Sequence, residues 1–187
     1  MFKKILIANR GEIAIRIMRA ANEIGKKTVA IYAKEDKLSL HRFKADEAYQ
    51  LSEDLGPVGA YLSINEIIRI AKMSKVDAIH PGYGLLSENP DFVVACEKEN
   101  ISFIGPSAKI MRELGNKSNA RKIAEKVNVP VLPASKPLPE NNLEIKKIAK
   151  KIGFPLMLKA SWGGGGRGMR PIFNIEELQD KIREGKR

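Results

Sequence analysis

Ile5-Leu6-Ile7-Ala8, then Glu12 to Ile24, then Gly25, then Thr28-Val29-Ala30-Ile31-Tyr32: the reading of residues 5–32 decides the fold. Ile5–Ala8 is a short apolar run of strand type, and Thr28–Tyr32 is a second one rich in β-branched residues. Between them Ile13, Ile17, Ala20, Ala21 and Ile24 recur at helical spacing, and Gly25 supplies the stop. Strand, helix and strand in that order make a βαβ unit, whose two strands run parallel.

Working outward, Glu47–Leu51, Val76–His80 and Ile101–Ile104 read as further strands. Ser63-Ile64-Asn65-Glu66 is a capping box ahead of Ile67, Ile68 and Ile70, and Asn89-Pro90 opens a helix carrying Phe92, Val93 and Cys96. The pattern predicts an α/β fold with a parallel sheet covered by helices. After Gly105-Pro106 the texture changes. Two basic helical stretches, Ala108–Leu114 and Asn119–Val127, lead into the proline-bearing run Val129 to Pro139, which reads as an extended connection. A helix at Leu143–Ile152 ended by Gly153, a strand at Leu156–Ala160, a glycine loop, a strand near Met169–Phe173 and a helix opened by Asn174 follow. Two strands and two helices are few for a stable domain, so the last segment is expected to be the truncated first part of a larger one. The expected division is 1–115, a connection over 116–134, and 135–187.

The 187 residues contain 33 Lys and Arg against 22 Asp and Glu, a formal net charge of +11. Such a balance suits nucleic acid, anionic metabolites or an acidic partner. Nucleic acid is disfavoured because the basic residues are spread over every segment, aromatics are only 6%, and no zinc-finger, RNA-recognition or basic-zipper pattern occurs. No apolar run approaches the roughly 20 residues of a membrane span. The N-terminal residues lack the apolar stretch and cleavage site of a signal peptide, so no membrane partner is expected. The one cysteine, Cys96, sits in an apolar segment and reads as a small buried residue, consistent with a cytoplasmic location.

The most informative stretch for chemistry is Lys159-Ala160-Ser161-Trp162-Gly163-Gly164-Gly165-Gly166-Arg167-Gly168-Met169. Five glycines in six positions let backbone N–H groups approach a bound group closely, and phosphate is the natural candidate. Gly163, Gly165 and Gly168 match G-x-G-x-x-G, but a dinucleotide fingerprint leads into a helix, and here a strand follows. A Walker loop fails as well, since no Gly-Lys-Ser/Thr closes it. What remains is a hairpin folding over a nucleotide's phosphates, mobile when empty, with Lys159 as a point charge and Arg167 within the loop. The plainer alternative is a solvent-exposed hairpin with Lys159 at a strand end. Lys117, between two basic helices, could be an ordinary surface lysine. His80-Pro81-Gly82-Tyr83-Gly84 lies at the carboxyl end of a predicted parallel strand, where open α/β sheets place ligands. His80 itself reads as a satisfied histidine at a strand end.

Taken together, Ile7-Ala8-Asn9-Arg10-Gly11-Glu12-Ile13-Ala14, His80-Pro81-Gly82-Tyr83-Gly84 with Ser87-Glu88-Asn89, Phe103-Ile104-Gly105-Pro106, Gly115-Asn116-Lys117 and Lys159-Ala160-Ser161 with the glycines resemble the biotin carboxylase component of biotin-dependent carboxylases, in the ATP-grasp superfamily. The resemblance implies a Rossmann-like pre-ATP-grasp domain followed by the first part of an α+β ATP-grasp lid. It implies carboxylation of biotin by ATP and bicarbonate through carboxyphosphate. By the family's motif, Lys117, Lys159, Gly163, Gly164, Gly165, Gly166, Arg167, Gly168 and Met169 bind ATP, and Tyr83 and Gly84 line the biotin pocket. Mg2+ ligands and the catalytic residues are expected outside this chain, which by itself is expected to be inactive. Biotin would arrive on a carrier domain. The parent is expected to be a homo-oligomer, with Arg19 and Glu23 in the dimer contact, although surface charge pairing accounts for those two equally well. The Ser161-Trp162 pair resembles bacterial pyruvate carboxylases, which make oxaloacetate, more than the acetyl-CoA carboxylase subunit. Acetyl-CoA or propionyl-CoA carboxylase, and a non-catalytic nucleotide-binding module, remain as alternatives.

Overall fold

Five short strands, β1 (Lys4–Ile7), β2 (Lys27–Tyr32), β3 (Glu47–Gln50), β4 (Ala78–His80) and β5 (Ser102–Phe103), form one sheet in the order β3-β2-β1-β4-β5. Every neighbouring pair is parallel, as the βαβ reading requires. The computed structural model describes residues 2–159 and 169–185. The chain divides into two compact units, Met1–Arg112 and Glu113–Arg187.

Alternate residues of the central strand face opposite layers, because successive side chains of a strand point to opposite faces. Leu6 and Ala8, with Val29, Ile31 and Ile79, belong to a cluster containing Ile67 and Ile70 of α3 (Ile64–Met73) and Phe92 and Cys96 of α4 (Pro90–Lys98). Ala60 and Tyr61 of the short α2 (Gly59–Leu62) join them. Ile5 and Ile7 pack instead against Ala14, Met18 and Ala21 of α1 (Gly11–Glu23). With helices on both faces, β1 is buried on both sides, which is why it reads as a continuous apolar run. Cys96 is fully buried, and burial pushes its thiol up to about 12, which leaves it an inert core residue.

Local signals act where the sequence places them. Gly25, at φ 69°, receives the end of α1: its N–H donates to the Asn22 carbonyl and that of Lys26 to the Ala21 carbonyl, both at 2.9 Å, a Schellman pattern. The Asn89 side chain accepts from the N–H groups of Asp91 and Phe92 with Pro90 in the first turn. Ser63 Oγ accepts from Glu66 N–H, but the Glu66 carboxylate takes Arg69 instead of reaching back, so only half of the expected capping box forms. β5 spans two residues where four were expected, although Ile104 N–H still reaches the Ile79 carbonyl at 2.9 Å.

In the second unit, Asn116 caps α6 (Lys117–Lys126) and Asn141 caps α7 (Asn142–Ile152). No helix or strand lies between them, consistent with the proline-bearing connection. The division at Arg112 falls within α5 (Ala108–Leu114). β6 (Leu156–Leu158) and β7 (Arg170–Ile172) pair antiparallel, and Ile172 is buried with Ile145 and Ala149 of α7 and with Leu178 and Ile182 of α8 (Leu178–Gly185). The expected helix start at Asn174 is corrected. Asn174 Oδ1 accepts Glu177 N–H at 3.1 Å, and the Glu177 carboxylate accepts the N–H of Phe173, so residues 174–177 form a turn and α8 begins at Leu178.

Among the described residues, a two-stranded sheet over five buried side chains is a small core beside the eighteen of the largest cluster in the first unit. Amide exchange should therefore be slower by on the order of a hundredfold at Ile5–Ile7 and Ala78–Ile79 than at Leu156–Leu158. Equal protection of β1 and β6 would show that the second unit is as strongly held as the first.

Candidate functional site

Strand order reverses at β1: β2 and β3 extend the sheet on one side, β4 and β5 on the other. The loops leaving β1 and β4 therefore diverge, and the crevice between them is where open α/β sheets bind ligands. Asn9 follows β1 and His80 ends β4, with the register Ile7↔His80 bringing the two together. The Ala8 N–H donates to the His80 carbonyl at 2.9 Å, extending the ladder by one bond.

The β4 loop is Pro81-Gly82-Tyr83-Gly84-Leu85. Gly82 and Gly84 are at φ 68° and 64° and Leu85 at 42°, so its shape depends on left-handed residues. Leu86 anchors its far end in the core. His80 Nδ1 accepts the N–H of Gly82 at 3.0 Å, and burial holds its imidazole below the ordinary histidine value. It is the satisfied strand-end histidine that the sequence suggests. Tyr83 is 62% exposed, its ring projecting to solvent while its hydroxyl donates to Glu12 Oε1 at 3.0 Å. That contact raises the phenol pKa.

Three residues beside the crevice escaped the sequence reading. Asp36, after β2, is buried and accepts from Arg10 (2.7 Å) and Ser39 (2.9 Å) at Oδ1 and from the Tyr61 hydroxyl (2.8 Å) at Oδ2. Burial works against its charge, yet the bonds from Tyr61 and Ser39 and the charge of Arg10 together outweigh it and hold the carboxyl below its usual range. Tyr61 also accepts the Ala33 N–H at 3.0 Å, and the Arg10 guanidinium lies 5.5 Å from its ring centroid. His41 is 1% exposed; its Nε2 lies 3.2 Å from the Ile31 carbonyl, and its Nδ1 has no partner. A carbonyl only accepts, so Nε2 carries the proton and Nδ1 is a bare acceptor. Burial lowers the His41 pKa, and a nearby arginine adds to the effect while Asp36 opposes it. No sequence spacing could announce this set, since Arg10, Asp36 and Tyr61 come from three separate loops and helices.

The structure joins Tyr83 to Asn9 and Glu12 and sets Gly82 against Asn9, a grouping that sequence did not reveal. Lys117 takes the first position of α6, and Lys159 is exposed one residue past β6. Met169 is 43% exposed just before β7. Gly163 to Gly168, with Arg167, lie outside the described residues. Arg19 and Glu23 are exposed along α1, where they line a shallow depression with Glu12, Ile15 and Arg16. Among the described residues no cluster of three His, Cys, Asp or Glu side chains could hold a metal ion, and no helix is long and apolar enough to cross a membrane.

Residues 1–111 match the family "Biotin carboxylase, N-terminal domain", and residues 116–187 match "Carbamoyl-phosphate synthase L chain, ATP binding domain". The chain is 52% identical to Staphylococcus aureus pyruvate carboxylase over 185 residues, covering 98% of this chain and 16% of that protein. Pyruvate carboxylase of Rhizobium etli, solved with acetyl coenzyme A, is 61% identical with a TM-score of 0.87 over 99% of this chain and 17% of its own. The biotin carboxylase domain dimer of Hydrogenobacter thermophilus 2-oxoglutarate carboxylase, solved with MgADP, ADP and bicarbonate, is 44% identical with a TM-score of 0.90, covering 99% of this chain and 40% of that one. The chain thus spans about one sixth of the length of the curated relative it matches.

The buried Asp36 and His41 make stability depend on pH with a definite sign. Both have folded values below their ordinary ones of 3.8 and 6.5, so the unfolded chain binds protons first as pH falls. The urea midpoint should be level from pH 8 to 7, fall as pH drops below 6.5 through His41 and His80, and fall further below pH 4 as Asp36 and Asp46, the latter held at about 2 by Lys27 and Thr28, are protonated. A midpoint that stays constant from pH 7 to 5 would show that neither ring is held neutral by the fold.

Proposed function

Because the chain belongs to the biotin carboxylase N-terminal domain family, we propose that it supplies the Rossmann-like domain and the first lid segment of an enzyme that carboxylates biotin with ATP and bicarbonate. The observation that carries this reading is the unbroken order of the two family matches, 1–111 and then 116–187, along a chain that follows a 61% identical pyruvate carboxylase over 99% of its length. ATP would activate bicarbonate as carboxyphosphate, and the carbon dioxide released from it would be captured at the ureido nitrogen of biotin on a carrier domain. The relatives favour pyruvate as the final acceptor, giving oxaloacetate. The likeness to a 2-oxoglutarate carboxylase keeps a second 2-oxo acid as the alternative acceptor.

Roles follow the family's motif and the chemistry of each side chain. Phosphoryl transfer asks the protein for positioning and positive charge. Lys117 and Lys159 provide charge for the ATP phosphates, Gly163 to Gly168 close over them with Arg167, and Met169 sits beside the nucleotide. Tyr83 and Gly84 line the biotin pocket on the β4 loop. By the family's motif, Mg2+ would be held by residues outside this chain. Arg19 and Glu23 on the exposed side of α1 are assigned to a contact between two biotin carboxylase domains, in keeping with the dimer formed by the 2-oxoglutarate carboxylase domain.

Replacing Lys159 by Gln in the full-length carboxylase keeps most of the side chain and removes its charge. Losing a charge-assisted contact to a phosphate costs roughly 1.5–3 kcal/mol, which is on the order of ten- to a hundredfold in apparent ATP affinity or in kcat/KM. Adenosine binding and folded stability should change little. An unaltered ATP titration in a well-folded Lys159→Gln enzyme would remove Lys159 from the site.

A further inference from the structure

We infer that Asn9, with Glu12, is a positioning residue that holds the Tyr83-Gly84 loop in its biotin-receiving shape; the inference rests on the assignment of that loop to biotin. The side chain of Asn9 is 5% exposed and spans the divergence between the β1 and β4 loops. Its Nδ2 donates to the Pro81 carbonyl at 2.7 Å and to the Tyr83 carbonyl at 2.9 Å, while Oδ1 accepts the N–H of Arg10 at 2.9 Å. Both amide hydrogens are used, and the orientation of the group is unambiguous, since a reversed amide would set its oxygen against two carbonyls.

Besides this amide, the loop is held by the bond from Gly82 N–H to His80 Nδ1 and by Leu86 in the core. Gly82, Gly84 and Leu85 take left-handed backbone angles, and because glycine has a wide choice when unfolded, tertiary bonds must hold that shape. Gly82 lies so close beneath the amide that a Cβ there would come 2.6 Å from Asn9 Nδ2, so with Asn9 in place this position takes only glycine. Glu12 grips the same loop from the outside through the Tyr83 hydroxyl at 3.0 Å. One clasp therefore acts on the backbone of Tyr83 and the other on its side chain, and both originate in the first turn after β1. The βαβ unit thereby sets the position of a loop 74 residues further along the chain.

The test uses the full-length carboxylase with free biotin as substrate. Asn9→Ala should raise KM for biotin on the order of tenfold while KM for ATP changes little at a temperature where the variant stays folded, a split that general destabilisation would not produce. Glu12→Ala, at an exposed position, should shift KM for biotin in the same direction by about threefold. Biotin KM values within twofold of wild type in both variants, or ATP KM rising in parallel with biotin KM, would overturn the inference. Amide exchange at Gly82 and Ser87, whose N–H groups donate to His80 Nδ1 and to the Gly84 carbonyl, should accelerate in Asn9→Ala by on the order of tenfold without change at Ile5–Ile7. Unchanged exchange at Gly82 and Ser87 in folded Asn9→Ala would likewise overturn it. A wild-type enzyme without biotin-dependent turnover would defeat the assigned function instead, and the exchange readout would still decide whether Asn9 holds the loop.

Discussion

One buried side-chain amide sits where the sheet's two directions of growth meet. A parallel sheet that extends outward from a central strand must send consecutive loops apart at that strand, and the gap this leaves is both a binding opportunity and a structural weakness. Asn9 resolves the weakness by satisfying two backbone carbonyls of the opposite loop. Left without donors, those carbonyls would face a partly buried environment at a cost of the order of 1–3 kcal/mol each. The rest of the crevice is arranged around this point, with Arg10, Asp36 and Tyr61 on the β2 side and His80, Gly82 and Tyr83 on the β4 side.

Much of the architecture was legible because it rests on local chemistry. The stop at Gly25, the cap at Asn89 and the continuous apolar run of β1 are each decided within a few residues, and each acts as its local pattern indicates. Misjudged boundaries have equally local causes. Asn174 has the composition of a helix cap, but its side chain bonds Glu177 N–H within a turn, and Glu66 finds a closer partner in Arg69 than in the N-terminus of its own helix. Nothing in the pattern favours one of these outcomes over the other.

The crevice was legible only in part. Gly-rich composition and its place after a strand pointed to Pro81–Gly84, whereas Asn9, Asp36, Tyr61 and His41 carry no such mark. Their partners lie 72, 26, 25 and 10 residues away, so the bonds exist only once the sheet has formed. Resemblance to biotin carboxylases names the residues proposed to touch ligands, while the geometry points to those that hold them. The two sets barely overlap, because contact with a ligand is marked by residue type and support of a loop is marked by geometry.

The central claim is that biotin meets the enzyme at the β4 loop while the nucleotide's phosphates meet the lysines of the second unit. It is tested most directly by a crystal structure of the full-length carboxylase with biotin and a non-hydrolysable ATP analogue. The account predicts biotin within contact distance, about 4 Å, of Tyr83 or Gly84, and Lys117 and Lys159 on the phosphates. Biotin bound away from residues 80–86, or a triphosphate that neither lysine touches, would contradict it.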